Sequence, residues 1–202
     1  MKSTIILFFS LFLVLPCHAQ KEIVKNNSNV GITLSFPWIN YYQYIDYDKK
    51  QTNRSFGFFG LGISGYYKKG KDKFSFNVSN TEDLSSPIST NKYSTKEIQT
   101  SIGCSYFELI YHKPIREELF AVGGFNFTKY NFRLESTLDS IKSYKKQDQT
   151  LGISIGLEYR FNNYFSVAGM YRPALASFET DEKYRHLINI EVRIDLDFKR
   201  KN

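Results

Sequence analysis

The stretch HLINIEVRIDLDF, residues 186–198, alternates strictly between apolar and polar side chains. Successive side chains of a β-strand point to opposite faces, so the pattern predicts a strand with one apolar and one mostly charged face. The apolar face comprises Ile188, Ile190, Val192, Ile194, Leu196 and Phe198, and the other face comprises Asn189, Glu191, Arg193, Asp195 and Asp197. The pattern leaves open whether the apolar face meets protein or lipid, and whether the charged face meets water or a closed lumen.

The first residues of the chain have the anatomy of a secretory signal. A basic start is followed by an apolar run over residues 5–15 and by the small residue Ala19. This run is too short for a spanning helix, and we predict a signal peptide over residues 1–19. Lipidation of Cys17 is the competing hypothesis.

The rest of the chain offers no continuous apolar run of the length that a membrane helix needs. If the exported chain enters a membrane, it therefore does so with strands. Cys104 is the only cysteine after the predicted cleavage site, which excludes an intramolecular disulfide. The net charge of +7 is expected to lie in solvated, lysine-rich loops, and export argues against nucleic acid as a partner.

Eight segments alternate with a period of two, and each predicts a strand. They cover residues 30–42, 56–68, 73–80, 98–111, 119–132, 150–161, 164–177 and 186–198. The fourth segment is ambiguous, because Ile102 and Cys104 favour one parity whereas Phe107, Leu109 and Tyr111 favour the other. Either a bulge or an apolar patch on the inner face would reconcile them.

The connections between these segments alternate in length. Short turns follow the second, fourth and sixth segments, at residues 69–72, around Pro114, and at 162–163. Longer polar connections cover residues 43–55, 81–97, 133–149 and 178–183. This alternation is typical of an all-β, eight-stranded antiparallel up-and-down transmembrane β-barrel in an outer membrane. The domains predicted after the signal peptide are therefore a short periplasmic segment, 20–29, and an outer-membrane barrel domain, 30–202.

Aromatic residues lie near the ends of several segments, where membrane barrels carry girdles at the lipid headgroup level. Tyr130 and Phe132 are among them, although aromatic residues are also simply good strand formers. The main membrane-interface aromatics that we predict are Trp38, Tyr41, Tyr42, Tyr67, Tyr111, Tyr164, Phe165 and Phe198.

The signal, the eight alternating strands, the loop rhythm and the aromatic-containing last strand resemble the small outer-membrane β-barrel proteins of Gram-negative bacteria, of the OmpX and OmpA-barrel type. The resemblance covers residues 30–198 and implies localisation in the cell outer membrane and recognition by the barrel-insertion machinery. The chain continues past Phe198 with KRKN, whereas many such barrels end on that aromatic. The resemblance also implies an envelope assembly partner, as in secretion machineries.

If the apolar parity faces lipid, the charged parity faces a lumen that side chains alone can fill. Unpaired buried charge is expensive, so we expect a paired structural network that fills the lumen instead of conducting. Its expected members are Glu158, Arg160, Asn189, Glu191, Arg193 and Asp195. Gly60, Gly62, Gly152 and Gly156 share the inward parity and are expected to make room for the long charged side chains.

The main functional hypothesis is a structural or interaction role through exposed loops that contact lipopolysaccharide or a partner protein, with no enzyme activity, cofactor or metal. A soluble, exported lipocalin-like barrel for an apolar ligand is the first alternative. The second is a lipid A deacylase using Ser177 and His186, with Glu179 or Glu182 as the carboxylate. His112 is expected to be an interface residue beside a periplasmic turn.

Overall fold

The computed structural model describes residues 28–46, 51–82, 98–140, 142–178 and 185–198. The predicted signal peptide, Cys17, Glu179 and Glu182 lie outside these ranges. The described part of the chain contains no helix that is long and apolar enough to cross a membrane. The strands are β1 (Ser28–Asp46), β2 (Gln51–Phe58), β3 (Gly60–Lys69), β4 (Asp72–Glu82), β5 (Ile98–Pro114), β6 (Leu119–Ser136), β7 (Tyr144–Arg160), β8 (Phe165–Ser177) and β9 (His186–Phe198).

These strands form one closed antiparallel sheet with eight positions around its wall. β3 to β9 pair in chain order, and β9 pairs with β1 to close the barrel. β2 pairs with the second half of β1 and β3 with the first half, so β2 and β3 together occupy a single position. The predicted eight-stranded up-and-down barrel is therefore confirmed.

The break between β2 and β3 falls at Phe59, which has a positive φ of 78°. Its amide donates a hydrogen bond to the Trp38 carbonyl at 3.2 Å, and the two rings pack with centroids 5.2 Å apart. On the facing strand, the register of β1 with β9 shifts between Pro37 and Ile39. The wall thus bends at one level in two neighbouring strands. The bend reverses which parity of β1 points inward after Pro37.

The alternation seen in the sequence places apolar side chains outside and polar side chains inside. In β9, Ile190 is 44% exposed whereas its neighbour Glu191 is fully buried. From Ile188 to Phe198 the outward apolar side chains run about 33 Å along the strand. At a tilt of about 40° this matches the roughly 25 Å apolar band of outer-membrane barrels. The lipocalin-like alternative, which needs the apolar parity inside, is wrong.

Several strands are longer than the sequence pattern predicts. β1 continues to Asp46, β6 continues to Ser136, and β7 begins at Tyr144, so much of the expected loop 133–149 is paired. The outward side chains there are polar, as at Arg133 and Lys145, and this removes the apolar alternation while the backbone ladder continues. The β6–β7 hairpin therefore extends beyond the apolar band.

The ambiguous segment 98–111 lies within β5 and contains no bulge, since its register with β6 is continuous. Ile102 and Cys104 point inward and are fully buried, whereas Phe107 and Leu109 point outward. Of the two explanations, the apolar patch on the inner face is therefore the correct one.

The inward glycines serve a different purpose from the one expected. A Cβ at Gly60, Gly62, Gly152 or Gly156 would collide with backbone or with short or uncharged side chains of facing strands. At Gly62, for example, it would meet the hydroxyl groups of Ser35 and Ser79. None of the nearest atoms belongs to a long charged side chain. These glycines therefore allow close approach of neighbouring strands.

Gly123 and Gly124 give a matched pair for testing this packing. A Cβ at Gly124 would collide with backbone of β5, including Ile110 Cα at 2.9 Å, whereas nothing lies within 4 Å of a Cβ at Gly123. We expect Gly124→Ala to destabilise the barrel by about 1–3 kcal/mol, the usual effect of overpacking. Gly123→Ala should leave stability nearly unchanged.

The measurement is the temperature at which the folded, fast-migrating species on a detergent gel converts to the unfolded one. A lower conversion temperature for Gly124→Ala alone is the expected result. Equal temperatures for the two variants would contradict the close packing of β5 against β6.

Candidate functional site

The barrel interior is organised around the guanidinium group of Arg172 on β8. Its Nε donates to Glu108 Oε1 at 2.5 Å, and its Nη2 donates to Glu108 Oε2 at 2.9 Å and to Glu191 Oε1 at 2.7 Å. Nη1 donates to the side-chain oxygen of Asn189. The guanidinium carbon lies 4.3 Å from the centroid of the Tyr106 ring. A fully buried cation is thereby held by two carboxylates, an amide and an aromatic face.

Glu191 extends the network to Arg193. Arg193 Nη2 donates to Glu191 Oε2 at 2.6 Å, and Nη1 donates to Glu158 Oε2 at 2.8 Å. Glu158 also accepts a hydrogen bond from Arg160 Nε at 2.7 Å and lies 3.0 Å from His112 Nδ1. Carboxylates and cations therefore alternate across the lumen, each buried charge beside one of opposite sign.

A second cluster lies at the periplasmic end of the lumen. Lys73 Nζ is 2.8 Å from both carboxylate oxygens of Asp195, and Thr33 Oγ1 donates to the same group at 2.5 Å. Lys68 Nζ lies 3.1 Å from Asp197 Oδ1. A cavity of about 10 Å³ beside Lys73, Arg193 and several hydroxyl groups separates the clusters. Such a volume holds about one water molecule.

Towards the extracellular end, the interior becomes apolar. The side chains of this apolar layer are at most 8% exposed, and they are Tyr42, Ile102, Cys104, Tyr106, Tyr130, Phe132 and Leu187. Near this layer Arg185 pairs with Asp148, which accepts a hydrogen bond from Ser177 Oγ at 2.8 Å. The lumen is therefore occupied by a charged network towards the periplasmic end and by an apolar layer towards the extracellular end.

The structure brings together most of the interior residues expected from the sequence. Glu158, Glu191 and Arg193 form one chain of contacts, and Arg160 joins that chain at the partly exposed rim. Asn189 contacts Arg172, and Asp195 lies in the separate periplasmic cluster with Lys73.

Sequence reasoning missed several titratable members of the interior, which include Lys73, Glu108, His112, Asp148, Arg172 and Arg185. Lys73 shares the parity of Ser75 and Asn77, which the alternation of β4 already placed inside. Glu108 and His112 share the parity of Ile102, and this signal was obscured by the apolar patch. Arg172 shares the parity of Ala168 and Met170, and this signal was obscured because these two inward residues of β8 are apolar.

His112 was expected at the membrane interface, and this expectation is wrong. Its side chain is buried, with Nε2 3.0 Å from Ser75 Oγ and Nδ1 beside Glu158. The reason is parity: Tyr111 and Lys113 point outward, so His112 between them points inward.

The predicted interface aromatics lie on the outer face, with one exception. Trp38, Tyr67, Tyr164, Phe165 and Phe198 are between 38% and 61% exposed, and Tyr41 and Tyr111 are half-buried on the same face. Tyr42, by contrast, is fully buried in the apolar layer. The register shift between Pro37 and Ile39 places Trp38 outside and Tyr42 inside, although the two share one parity in the sequence. Tyr130 and Phe132 also lie in that layer.

Of the residues of the deacylase hypothesis, the structure describes Ser177 and His186, and their side chains have different partners. Ser177 points to Asp148 in the interior, whereas His186 lies against the rings of Tyr41 and Tyr171. Among the described residues, no group of three or more His, Cys, Asp or Glu side chains is arranged to hold a metal ion.

Solved structures with a similar fold are small outer-membrane proteins. Neisserial surface protein A is 11% identical, with a TM-score of 0.53 over 83% of this chain and 98% of that one. The N-terminal β-barrel domain of OprF from Pseudomonas aeruginosa is 14% identical, with a TM-score of 0.51 over 85% of this chain and 98% of that one. Ail, the attachment invasion locus protein of Yersinia pestis, is 13% identical, with a TM-score of 0.52 over 84% and 99%.

No curated protein sequence matches the chain significantly. The family model of the outer membrane protein beta-barrel domain, however, matches residues 7–194. This match covers nearly the whole chain and agrees with the closed barrel, its outward apolar band and its inward charges. The protein is an integral β-barrel of the cell outer membrane and belongs to the outer membrane protein beta-barrel domain family.

Proposed function

We propose that this protein is a non-conducting barrel that anchors surface hairpins rigidly in the outer membrane, and that it acts through contacts of those hairpins with anionic sugars and phosphates of lipopolysaccharide. The observation that carries the proposal is the filled lumen. A barrel whose interior is occupied by paired charges and an apolar layer is suited to hold its extracellular ends in place.

The charged network supports the structural part of the proposal. Glu108, Glu158, Glu191, Arg172 and Arg193 are each at most 4% exposed, and each lies within hydrogen-bond distance of an opposite charge. Buried charges without partners would be destabilised by several kcal/mol, so the network favours one fixed arrangement of the strands that carry it. These strands are β5, β7, β8 and β9.

The β6–β7 hairpin supports the interaction part. Its outer face carries Lys129, Arg133 and Lys145, beside a groove of about 290 Å³ that Asn131 and Gln147 also line. The acidic groups at this surface are Glu82 and Glu135, the latter 3.8 Å from Arg133. Cationic groups with amide hydrogen-bond partners suit sugar phosphates. They lie beyond the apolar band, where lipopolysaccharide headgroups surround the barrel.

One similar protein offers a parallel. Ail of Yersinia pestis, 12% identical to this chain with a TM-score of 0.51, has been crystallised with the heparin analogue sucrose octasulfate. A barrel of this shape can therefore present a binding site for a densely anionic sugar. For this chain, the parallel supports the proposed contact between the cationic β6–β7 hairpin and anionic sugars.

The proposal includes two further partners, the barrel-insertion machinery and an envelope protein. We infer that the barrel-insertion machinery recognises β9, because its outward apolar row ends on the exposed ring of Phe198. An envelope protein partner would meet the same extracellular hairpins that the proposal assigns to lipopolysaccharide.

The interaction part predicts an effect of charge on binding to lipopolysaccharide micelles. We expect Arg133→Gln with Lys145→Gln to weaken binding roughly tenfold or more, since each surface cation contributes about 1 kcal/mol near anionic lipid. The matched control is Arg116→Glu in the exposed β5–β6 turn, which lowers the net charge by the same two units at the periplasmic end and at a residue with no proposed anion contact. Titration followed by light scattering at two salt concentrations measures the effect. An equal loss in the double variant and in Arg116→Glu, or no loss in either, would refute the assignment to the β6–β7 hairpin.

The structural part predicts a difference between two Arg→Met substitutions. Arg172→Met leaves Glu108 buried beside no cation and should lower the free energy of unfolding by about 3–5 kcal/mol. Arg133→Met is the control, because its ion pair with Glu135 is half exposed and should contribute less than about 1 kcal/mol.

Urea unfolding in lipid vesicles, followed by the fluorescence of Trp38, the single tryptophan, gives both free energies. A midpoint for Arg172→Met within error of that for Arg133→Met would show that the network does not hold the barrel together.

A further inference from the structure

The outer wall of the barrel contains an apolar groove near its periplasmic end. The groove has a volume of about 870 Å³ and extends over β3 to β6, and Val30 of β1 and Phe198 of β9 also line it. Its depth comes from two outward glycines, Gly65 and Gly123, since a Cβ at either position would meet nothing within 4 Å. Both lie where neighbouring strands carry bulky side chains, so the missing side chains leave a recess in the membrane-facing surface.

Strand pairing arranges the walls of the groove in two rows. In the row nearer the periplasm, Tyr67 pairs with Phe74, and Phe74 pairs with Tyr111. In the next row, Gly65 pairs with Phe76, Phe76 with Leu109, and Leu109 with Phe125. Leu109 is 65% exposed and Phe125 is 72% exposed, so the second row presents hydrocarbon surface.

Beyond the aromatic row, the groove ends at a cationic edge. Lys69, Lys71 and Lys113 are exposed around the β3–β4 turn and the end of β5. The acidic group between them is Asp72, which pairs with Lys69 and accepts a hydrogen bond from Tyr111 Oη at 2.7 Å. With the exposed Arg116, Glu117 and Glu118 of the adjoining β5–β6 turn included, four cations and three carboxylates still leave this edge with a net positive charge.

We propose that this groove is a binding site for a phospholipid of the periplasmic leaflet with an anionic headgroup. An acyl chain lies over Gly65 and Gly123, and the phosphate group contacts Lys69 and Lys113. The charge distribution favours this occupant, because the site is apolar along its length and cationic at one end only. A second copy of the chain or a partner helix would cover the apolar rows without using a cationic edge at the headgroup level.

The site lies at the opposite end of the barrel from the β6–β7 hairpin. It therefore stands independently of the proposed contact with lipopolysaccharide, and it would give this barrel a preferred lipid in each leaflet.

Native mass spectrometry of the full barrel, released from detergent with dioleoyl phosphatidylglycerol or dioleoyl phosphatidylethanolamine, tests the proposal. Gly65→Leu and Gly123→Leu fill the groove, and each should reduce bound phosphatidylglycerol at least tenfold. Gly169→Leu is the matched control, because Gly169 also faces outward with open space but lies between Leu157 and Ile190, away from the groove. It should bind as the wild type does.

Lys69→Gln with Lys113→Gln tests the edge without altering the groove, and we expect this variant to fold as the wild type does because both positions are exposed. The expected result is loss of the preference for phosphatidylglycerol over phosphatidylethanolamine. The proposal would be overturned by unchanged lipid binding in the groove-filling variants or by an equal loss in Gly169→Leu. It would also be overturned if the wild type showed no preference between the two lipids, or if it formed a dimer that only the groove-filling variants abolish.

Discussion

The structure depends on the position of Arg172 between Glu108 and Glu191. A guanidinium group inside a lumen closed to bulk water is tolerated only with hydrogen-bonded carboxylates around it, and each carboxylate in turn needs its cation. The contacts Arg172–Glu191 and Arg193–Glu158 continue this requirement from β8 through β9 to β7. The strands cannot slide past one another without separating these pairs, so the network favours one register of the wall.

The same constraint connects the interior to the outside. Because the charged side chains of the network are paired with one another within the lumen, the wall can present apolar side chains to lipid. The apolar layer around Tyr106 and Cys104 then closes the lumen below the extracellular hairpins. In the part of the chain that the structure describes, side chains occupy the lumen, and the proposed contacts therefore lie at the two rims. They are the cationic β6–β7 hairpin at one rim and the groove beside Lys69 and Lys113 at the other.

The sequence was sufficient to predict the eight-stranded barrel, because lipid outside and a filled lumen inside impose period-two alternation on every strand. It also placed Glu191 and Arg193 inside, since β9 alternates without interruption. The sequence pattern failed where the wall has a register shift and where the inner face of a strand carries both apolar and polar side chains. The register shift at Pro37 moved Tyr42 inward, and the apolar patch on β5 hid the shared inward parity of Glu108 and His112. Arg172 was missed because the inward residues before it on β8, Ala168 and Met170, are apolar, and its contact with Glu108 of β5 crosses the lumen, which single-strand patterns do not reveal.

The reactivity of Cys104 tests the filled lumen most directly. This thiol is fully buried in the apolar layer, and Cys17 is the other cysteine of the chain. In a Cys17→Ser variant folded in vesicles, we expect no reaction of Cys104 with a small water-soluble thiosulfonate, and one modified thiol per chain after unfolding. Modification of the folded barrel at the rate seen for the unfolded chain would show an open, hydrated lumen and contradict the account.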